Sequence, residues 1–494
     1  MEYFQSNDRK SVKQDFAKLS SMIVRDLNNN SGQSFTRRYT SDDVSRFLES
    51  PTRYAKELGV MSLNLYEASP HYKRLINYYA NLPTLDYFIT PVGLDKTKEI
   101  NVEKLKTNYQ KAVDLTETMD IKHEFKRMLT TAWIRDAFYG YQHSTKDSYF
   151  VQKLPNDYCQ ISSIEDGVYN LSFDFQYFDR NATQLEFYPK EFKSMYNKYR
   201  AGTEGQWIEL DGSKTIVLKI NEYTTYDIPP FVGIFKSIFD IQDYKNLKKA
   251  SETISNYKFI TQKIPIRDKS ERNNDFLIDL NNVAMFHNKT MATLPDEIGL
   301  ITTPFDVDVV NFAKDKSESD NVQEAEREFY AGAGTSSLLF NQSTSSTKAL
   351  EKSINVDEQE VFTLIRQVER VINRKLKNEI KGTFKFKVQI LDTTSFNKKE
   401  VFERLLKSAQ YGLPVKMMIG SSLGLTPSTT ENMAFLENEV LGLGEMFIPL
   451  SSSHTQSGSE SVDNEGGRPE LDDEELSDEG EGTRDRGDND SDVR

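Results

Sequence analysis

The chain has 494 residues, a formal net charge of −14 and a single cysteine, Cys159. That length suits two to four domains, and one thiol excludes an internal disulfide and points to a reducing compartment. No run approaches the ~20 apolar residues of a membrane span, and Met1 to Lys10 lacks the apolar core of a signal peptide. The apolar share is low, 37% against ~45–50% in typical globular domains. It fits an extended multi-domain subunit, a disordered segment, or both. The acidity is local: Ser459 to Arg494 holds fifteen Asp or Glu and four Arg, a net of −11, so the remaining 458 residues carry about −3.

Residues 1–40 mix Asn, Ser and charge and read as a flexible lead-in. Ser41 to Leu48 starts with a good N-cap residue and carries a helical pattern. A second short helix is expected over His71 to Tyr79, and Tyr87 to Pro91 is extended. Val102 to Phe138 reads as one long helical region, with Phe125, Met128, Leu129, Trp133 and Ile134 at core spacing. From Tyr139 the character changes to strands at 149–154, 158–161 and 168–175, broken by turn residues such as Asp166-Gly167. A helix over Pro189 to Arg200 and strands at 207–210 and 215–223 complete an α+β domain that Pro229-Pro230 closes.

Ser237 to Ile260 is again helical, with Ile238, Ile241, Tyr244, Leu247, Ile254 and Tyr257 on one side. Residues 261–316 lose that period, and 276–280, 283–286 and 299–302 read as strands. Then come Asn321 to Tyr330, a short helix with Val322, Ala325 and Phe329 on one stripe, and the glycines of Ala331-Gly-Ala-Gly334, which end it. A loop rich in hydroxyls and amides follows, carrying Leu338, Leu339 and Phe340. From Thr347 to Ile380 apolar residues recur at 350, 354, 361, 365, 368, 372, 376 and 380, the period of a helix. At 1.5 Å per residue that rod is roughly 50 Å long, several times the usual ~11–12 residues. Its stripe asks for an internal partner, and flanking Glu351, Glu358, Glu360, Arg366, Arg370 and Lys375 ask for a lateral one.

Thr383 to Ile390 alternates as a strand with one buried face. Three shorter helices follow. Asn397 to Glu400 is a capping-box start to the first, Pro414 opens the second, and Thr426-Pro427 opens the third as N-cap and N1. Met433, Leu436 and Val440 form the third helix's core stripe. Beyond Ser451 almost no large apolar residue remains, and 451–494 reads as a disordered acidic tail.

The segment from Phe329 to Asn341, with Lys348 to Ile354 and Arg366 to Asn373, resembles the stem helix, tunnel loop and spine helix of the portal proteins of tailed bacteriophages, siphophage type. The resemblance is one of order and pattern over about residues 40 to 445. In that family twelve subunits form a ring at one capsid vertex and double-stranded DNA passes through the middle. The resemblance implies an α+β, portal-type fold: an α/β wing over 41–235 with a returning strand in 381–394, stem helices at 236–262 and 317–333, and an inserted β clip at 263–316. A tunnel loop at 334–346, a spine helix at 347–380 and a helical crown at 395–450 complete it. It further implies a homo-oligomeric, twelvefold ring with double-stranded DNA in transit. Its partners would be the terminase, the major capsid or scaffolding protein and a head-completion adaptor. Its place would be the virion, after assembly in the host cytoplasm, without a membrane partner.

The DNA-channel residues it implies are Gly334, Thr335, Ser336, Ser337, Leu338, Leu339, Phe340, Asn341, Gln342 and Ser343. Partner docking would fall on Arg267, Asp268, Lys269, Glu271 and Arg272 of the clip, although as residues they read equally as a solvated loop. The near balance of charge outside the tail argues against tight nucleic-acid binding, which shows as a basic face. It suits a conduit, where each further Lys or Arg contact would add salt-dependent affinity.

Motifs of catalysis are missing from the sequence. There is no GxxxxGK[ST] loop, and Gly332-Ala-Gly334 follows a helix rather than a strand and lacks the third glycine of a dinucleotide fingerprint. Nothing matches HExxH or paired CxxC. His71, His123, His143, His287 and His454 are scattered, and each reads as a core or surface residue. Asp306-Val-Asp308 puts two carboxylates on one face of a strand, and Asp472 to Glu475 is a solvated acidic run. The tyrosines from Tyr72 to Tyr87 have no basic groove beside them and read as packing, not as a stacking platform for bases. No catalytic residue, cofactor or metal is expected. Two other readings are open: an enzyme of nucleic-acid metabolism with an unrecognised site, and a different virion structural subunit.

Overall fold

A computed structural model describes residues 39–443 apart from 96, 98, 146, 257, 268–275, 295–297, 304–316, 337–338 and 340–346. All but two residues of the predicted lead-in, and the whole acidic tail, lie outside the described residues. One compact unit ends at Met433 and a second begins at Ala434.

The first unit mixes helices with small sheets. It opens with α1 (Ser41–Glu49), α2 (Ala55–Ala68) and α3 (Pro70–Asn81). Thr40, one residue before the cap expected from the sequence, closes a capping box with Asp43. Strand β1 (Tyr87–Val92) leads to α4 (Val102–Met119) and α5 (Ile121–Arg135). The predicted single helix over 102–138 is thus two helices and the start of a strand. The break falls at Asp120, in the left-handed region at φ 42°, where the short polar side chain of Asp makes positive φ less costly. A second positive φ, 72° at Asp136, turns the chain into β2 (Ala137–Ser144), a strand missing from the sequence reading.

Strands β3 (Tyr149–Lys153), β4 (Cys159–Glu165) and β5 (Val168–Asp174) follow. Beyond them are a single turn α6 (Tyr177–Arg180), α7 (Lys190–Arg200), β6 (Trp207–Glu209) and β7 (Thr215–Lys219). They build two antiparallel sheets, in the orders β3-β2-β7 and β4-β5-β6. Between these sheets and α7 lies an aromatic core of Phe173, Phe175, Phe178, Tyr188 and Phe192, which also holds the buried free thiol of Cys159. Burial pushes that thiol well up from its ordinary range. It acts as a small hydrophobe.

The long helices come next: α8 (Phe235–Asn256), α10 (Ser317–Gly332) and α11 (Thr347–Glu379), with α9 (Leu280–Met291) between the first two. The expected helix over 236–262 stops six residues early. Strand β8 (Lys258–Lys263) then pairs in parallel with β9 (Ile298–Thr303). Within this module 283–286, read as a strand, belongs to helix α9, whose Asp279 cap accepts from the Asn281 amide. The expected strand at 276–280 is reduced to one bridge between Ile266 and Phe276. Parallel strands need a crossover of a dozen or more residues, usually a helix, and α9 supplies it. The Asp306-Val-Asp308 pair lies outside the described residues.

After α11 the chain returns through β10 (Lys385–Ile390), antiparallel to β1. It continues in α12 (Lys398–Gln410), α13 (Lys416–Ser422) and α14 (Pro427–Phe435). Asn397 does not cap α12 through its side chain; its Oδ1 accepts instead from the Thr394 amide at 2.8 Å. Thr426 does act as expected, accepting from the Thr429 amide at 3.2 Å. In the second unit Leu436–Val440 forms a π-helical turn. The stripe expected to be core is exposed instead, Met433 at 42% in the first unit and Leu436 at 40% and Val440 at 60% in the second.

Helix α11 holds the first unit together. Ile354 is buried, and Val361, Ile365, Val368, Ile372 and Leu376 are buried in the main core. Two amides on the same helix then fasten it to two sheet edges. Gln367 accepts from the Lys219 backbone N–H at 3.0 Å and donates to its carbonyl at 2.7 Å. Asn373 does the same to Val388, at 2.8 and 3.0 Å. Strands β7 and β10 are edge strands of their sheets, with backbone groups that must otherwise find partners. Each amide thus stands in for one residue of a missing strand. The Lys219 side chain ends in a buried trio, 2.8 Å from Asp136 Oδ2 and 2.9 Å from Asp227 Oδ1. Burial pushes Asp136 up to about 6, with the Lys219 ammonium pulling the other way.

Candidate functional site

The predicted tunnel loop leaves α10 at a well-defined turn. The Thr335 amide donates to the Tyr330 carbonyl at 3.1 Å and the Gly334 amide to that of Ala331 at 3.0 Å, the paired bonds of a Schellman end. Gly334 sits at φ 76°, and a Cβ there would meet nothing within 4 Å. Backbone conformation, rather than space, is what requires glycine at this position.

Upstream, α10 packs along α8, with Ala325, Phe329 and Tyr330 buried against a core that includes Ile234, Phe235 and Ile238. A polar latch binds the same two helices to α3. Lys245 donates to His71 Nε2 at 2.9 Å and pairs with Glu326 at 3.1 Å, and His71 Nδ1 lies 3.4 Å from the Tyr330 hydroxyl. Because Nε2 accepts from an ammonium, its ring is neutral with the proton on Nδ1, donated toward Tyr330. Burial, then the Lys245 charge, lower the imidazole pKa, which agrees with that tautomer. Tyr330 is itself pushed up to about 12, mainly by burial.

Downstream of the glycine the loop is pinned to α11. Tyr78 and Tyr79 donate to the two oxygens of Asp357, at 2.9 and 3.2 Å. The Tyr79 proton is committed to that carboxylate, so the Thr335 hydroxyl, 3.1 Å away, must donate to Tyr79. Thr335 is 2% and Asp357 3% exposed. Burial holds the Asp357 carboxyl above its usual range, and the two tyrosine hydrogen bonds pull the other way. Next along the helix, Glu358 is buried and accepts from the Thr394 hydroxyl.

The predicted site residues divide sharply. Gly334 is exposed on its turn, and Ser336 and Leu339 are half-buried, joined by a bond from the Leu339 amide to the Ser336 carbonyl at 3.1 Å. Thr335 departs from the expectation of a lumen-facing hydroxyl, because its oxygen is used inside the protein. Ser337, Leu338, Phe340, Asn341, Gln342 and Ser343 lie outside the described residues, as do Asp268, Lys269, Glu271 and Arg272. Arg267 is exposed beside the Ile266 bridge. Of the charged residues flanking the long helix, Glu358 and Lys375 are buried within the chain and are not free for a lateral partner.

Sequence reasoning missed His71, Tyr78, Tyr79, Glu326 and Asp357. One signal was there: Asp357 stands three residues after Ile354 and four before Val361, on the apolar stripe itself. A carboxylate in that position must be hydrogen-bonded if it is buried. Among the described residues no group of His, Cys, Asp or Glu is placed to hold a metal ion, and no helix is long and apolar enough to cross a membrane.

No protein-family model and no curated protein matches the chain. Among solved structures it is similar to a chain in the neck of an empty gene transfer agent particle, computed with C6 symmetry (TM-score 0.39). It is also similar to a chain in the virion of a native gene transfer agent particle (TM-score 0.40). Both are 11% identical to it, and each match covers 76% of this chain and 94% of the other.

Proposed function

We propose that this chain is a portal subunit of a tailed phage or phage-like particle, a non-enzymatic structural component. It would form a twelvefold ring at the capsid vertex, through which double-stranded DNA is packaged and ejected. In this reading α8 and α10 are the stem, β8-α9-β9 belongs to the clip, 334–346 is the tunnel loop, α11 is the spine and α12 to α14 contribute the crown. The terminase, which carries the ATPase, docks at the clip and is followed by a head-completion adaptor. The observation that carries the reading is the junction of α10, its glycine turn and α11. A loop is released at Gly334 while Thr335, Tyr79 and Asp357 hold its base rigid. A channel loop that shifts as DNA passes needs such a fixed root.

Electron microscopy of the purified protein tests the ring: annular particles are expected, and compact monomers at micromolar concentration would refute it. The loop has its own test. Changing Asn341 and Gln342 to Lys would place about two dozen cations in a twelvefold channel, and affinity rises steeply with each phosphate neutralised. Assembly should survive while packaging in vitro slows or stalls, with partial rescue at higher salt. Packaging at the unmodified rate would show that the loop does not touch DNA.

A further inference from the structure

We propose that Lys219 and Asp136 condense into an intramolecular amide, with Asp227 carrying the protons. The end of β7 would then be tied covalently to the turn that opens β2. This stands on its own geometry and does not depend on the portal reading.

Acyl transfer needs a nucleophile, an acceptor carbonyl with a donor on its oxygen, and a base within hydrogen-bond reach. All three converge here. Lys219 Nζ lies 2.8 Å from Asp136 Oδ2 and 2.9 Å from Asp227 Oδ1. The other oxygen of Asp136, Oδ1, accepts from the Asn221 backbone N–H at 2.9 Å. Charge would develop on that oxygen once the carboxyl carbon is attacked. Asp227 Oδ1 also accepts from the Tyr139 hydroxyl at 3.2 Å, which fixes its direction. The backbone is held just as closely. Ala137 and Lys219 pair across β2 and β7, and the Ile220 amide donates to the Asp136 carbonyl at 2.8 Å. Gln367 bonds both backbone groups of Lys219. Nucleophile and acceptor are therefore presented in one fixed geometry, the condition under which intramolecular reactions gain most.

The site also excludes water, the by-product of the condensation. The side chains of Lys219 and Asp136 are 2% and 0% exposed, against 18% for Asp227. That contrast assigns the roles. Asp136, wholly enclosed and with a backbone donor on Oδ1, is the acceptor, while Asp227, nearer to solvent, is the base. The resting form is the ion pair: burial pulls the Lys219 pKa down, but the two carboxylates together outweigh it and leave it raised. The reactive form is one proton transfer away, with an amine beside a neutral Asp136 carboxyl. Burial, which holds Asp136 up at about 6, brings that form within reach. Nζ then attacks Cγ, forming the N–C bond and placing the negative charge on Oδ1. Asp227 takes a proton from Nζ and gives it to the Oδ2 hydroxyl, the Cγ–Oδ2 bond breaks, and Oδ2 departs as water. An ammonium and a carboxylate become an amide and one water, with no oxidant, reductant or cofactor. The bond would close a span of 83 positions that contains both antiparallel sheets, and closing a long loop removes freedom from the unfolded chain.

Mass spectrometry of the full chain, fresh and after a week of incubation, tests this. A species lighter by one water is expected and should grow with time. Tryptic digestion should give a branched peptide joining Lys219 to Asp136, with cleavage after Lys219 lost in proportion. Asp227→Asn keeps a hydrogen-bond acceptor for Nζ and should form the amide roughly a hundredfold more slowly. Should that variant fail to fold, the branched peptide of the unmodified chain still decides the proposal. Full mass throughout, with complete cleavage after Lys219, would overturn it. So would a water loss carried by an unbranched peptide, which marks a cyclic imide, or a branch from Lys219 to Asp227. A folded Asp227→Asn variant that reacts at the unmodified rate would remove Asp227 from the chemistry and overturn that assignment. None of these outcomes bears on ring formation.

Discussion

The body around α11 and the β8-α9-β9 module use similar residue types and bury them very differently. In the body, Phe125, Trp133, Ile365 and Val368 are at most 2% exposed, and Trp133 stacks on Phe231 with ring centroids 5.6 Å apart. In the module, Leu277 is 54%, Met285 55% and Phe286 50% exposed, with Ile266, Ile278 and Met291 also open to solvent. Among the described residues its sheet is a single parallel pair, a geometry normally covered on both faces and marginal at two strands. The body is therefore stabilised by its own core, whereas these apolar side chains of the module lie open to solvent among the described residues.

The comparison can be broken most directly at Trp133. Trp133→Ala should cost about 3–5 kcal/mol in denaturant unfolding, whereas an equally large residue of the module should cost far less. Gln367→Leu comes next. It strips two partners from Lys219 at the edge of β7, and each orphaned backbone group is worth about 1–3 kcal/mol, so calorimetry should show a clear drop in Tm. A variant as stable as the parent would mean that water or the backbone replaces the amide. Gly334→Ala should cost about 1–2 kcal/mol for the left-handed backbone, with faster proteolysis of the loop as the accompanying sign. Phe286→Asp should lie within about 0.5 kcal/mol of the parent in the isolated subunit, yet lower ring formation if the module is completed by neighbours. A large loss of monomer stability there would mean that the module is supported from within.

The smallest effect is a pH slope. His71 has its folded pKa lowered by burial and by Lys245, so the unfolded chain, at an ordinary ~6.5, takes up the proton first. Its contribution is fully present above about pH 6.5 and is lost as pH falls toward the folded value. His71→Gln should flatten that decline when unfolding free energies at pH 7 and pH 5 are compared. Asp136, Asp357 and Glu360, all raised chiefly by burial, slope the other way and are common to both proteins. An unchanged difference between the two pH values would remove His71 from the latch.

The sequence alone determined whatever depends on local period and turn chemistry. The long helix, read as Thr347 to Ile380, runs Thr347–Glu379, because eight apolar residues at helical spacing admit no other structure. The glycine exit at Gly334, the Thr426 cap and the alternating strand at 385–390 were legible for the same reason. Tertiary structure decided the rest. The period of 283–286 cannot distinguish a short apolar helix from a strand, and α9 forms there as the crossover a parallel pair requires. Helix α8 was expected to bury one continuous stripe; Ile238 and Ile241 are buried, yet Tyr244 is 41% and Leu247 63% exposed. Gln367 and Asn373 look in sequence like ordinary polar residues of a helix, and Asp357 is marked only by its place on the apolar stripe. Only the arrival of Tyr78, Tyr79, Lys219 and Val388 from distant parts of the chain gives their hydrogen-bonding groups partners, and partners that far apart in sequence leave no local signal.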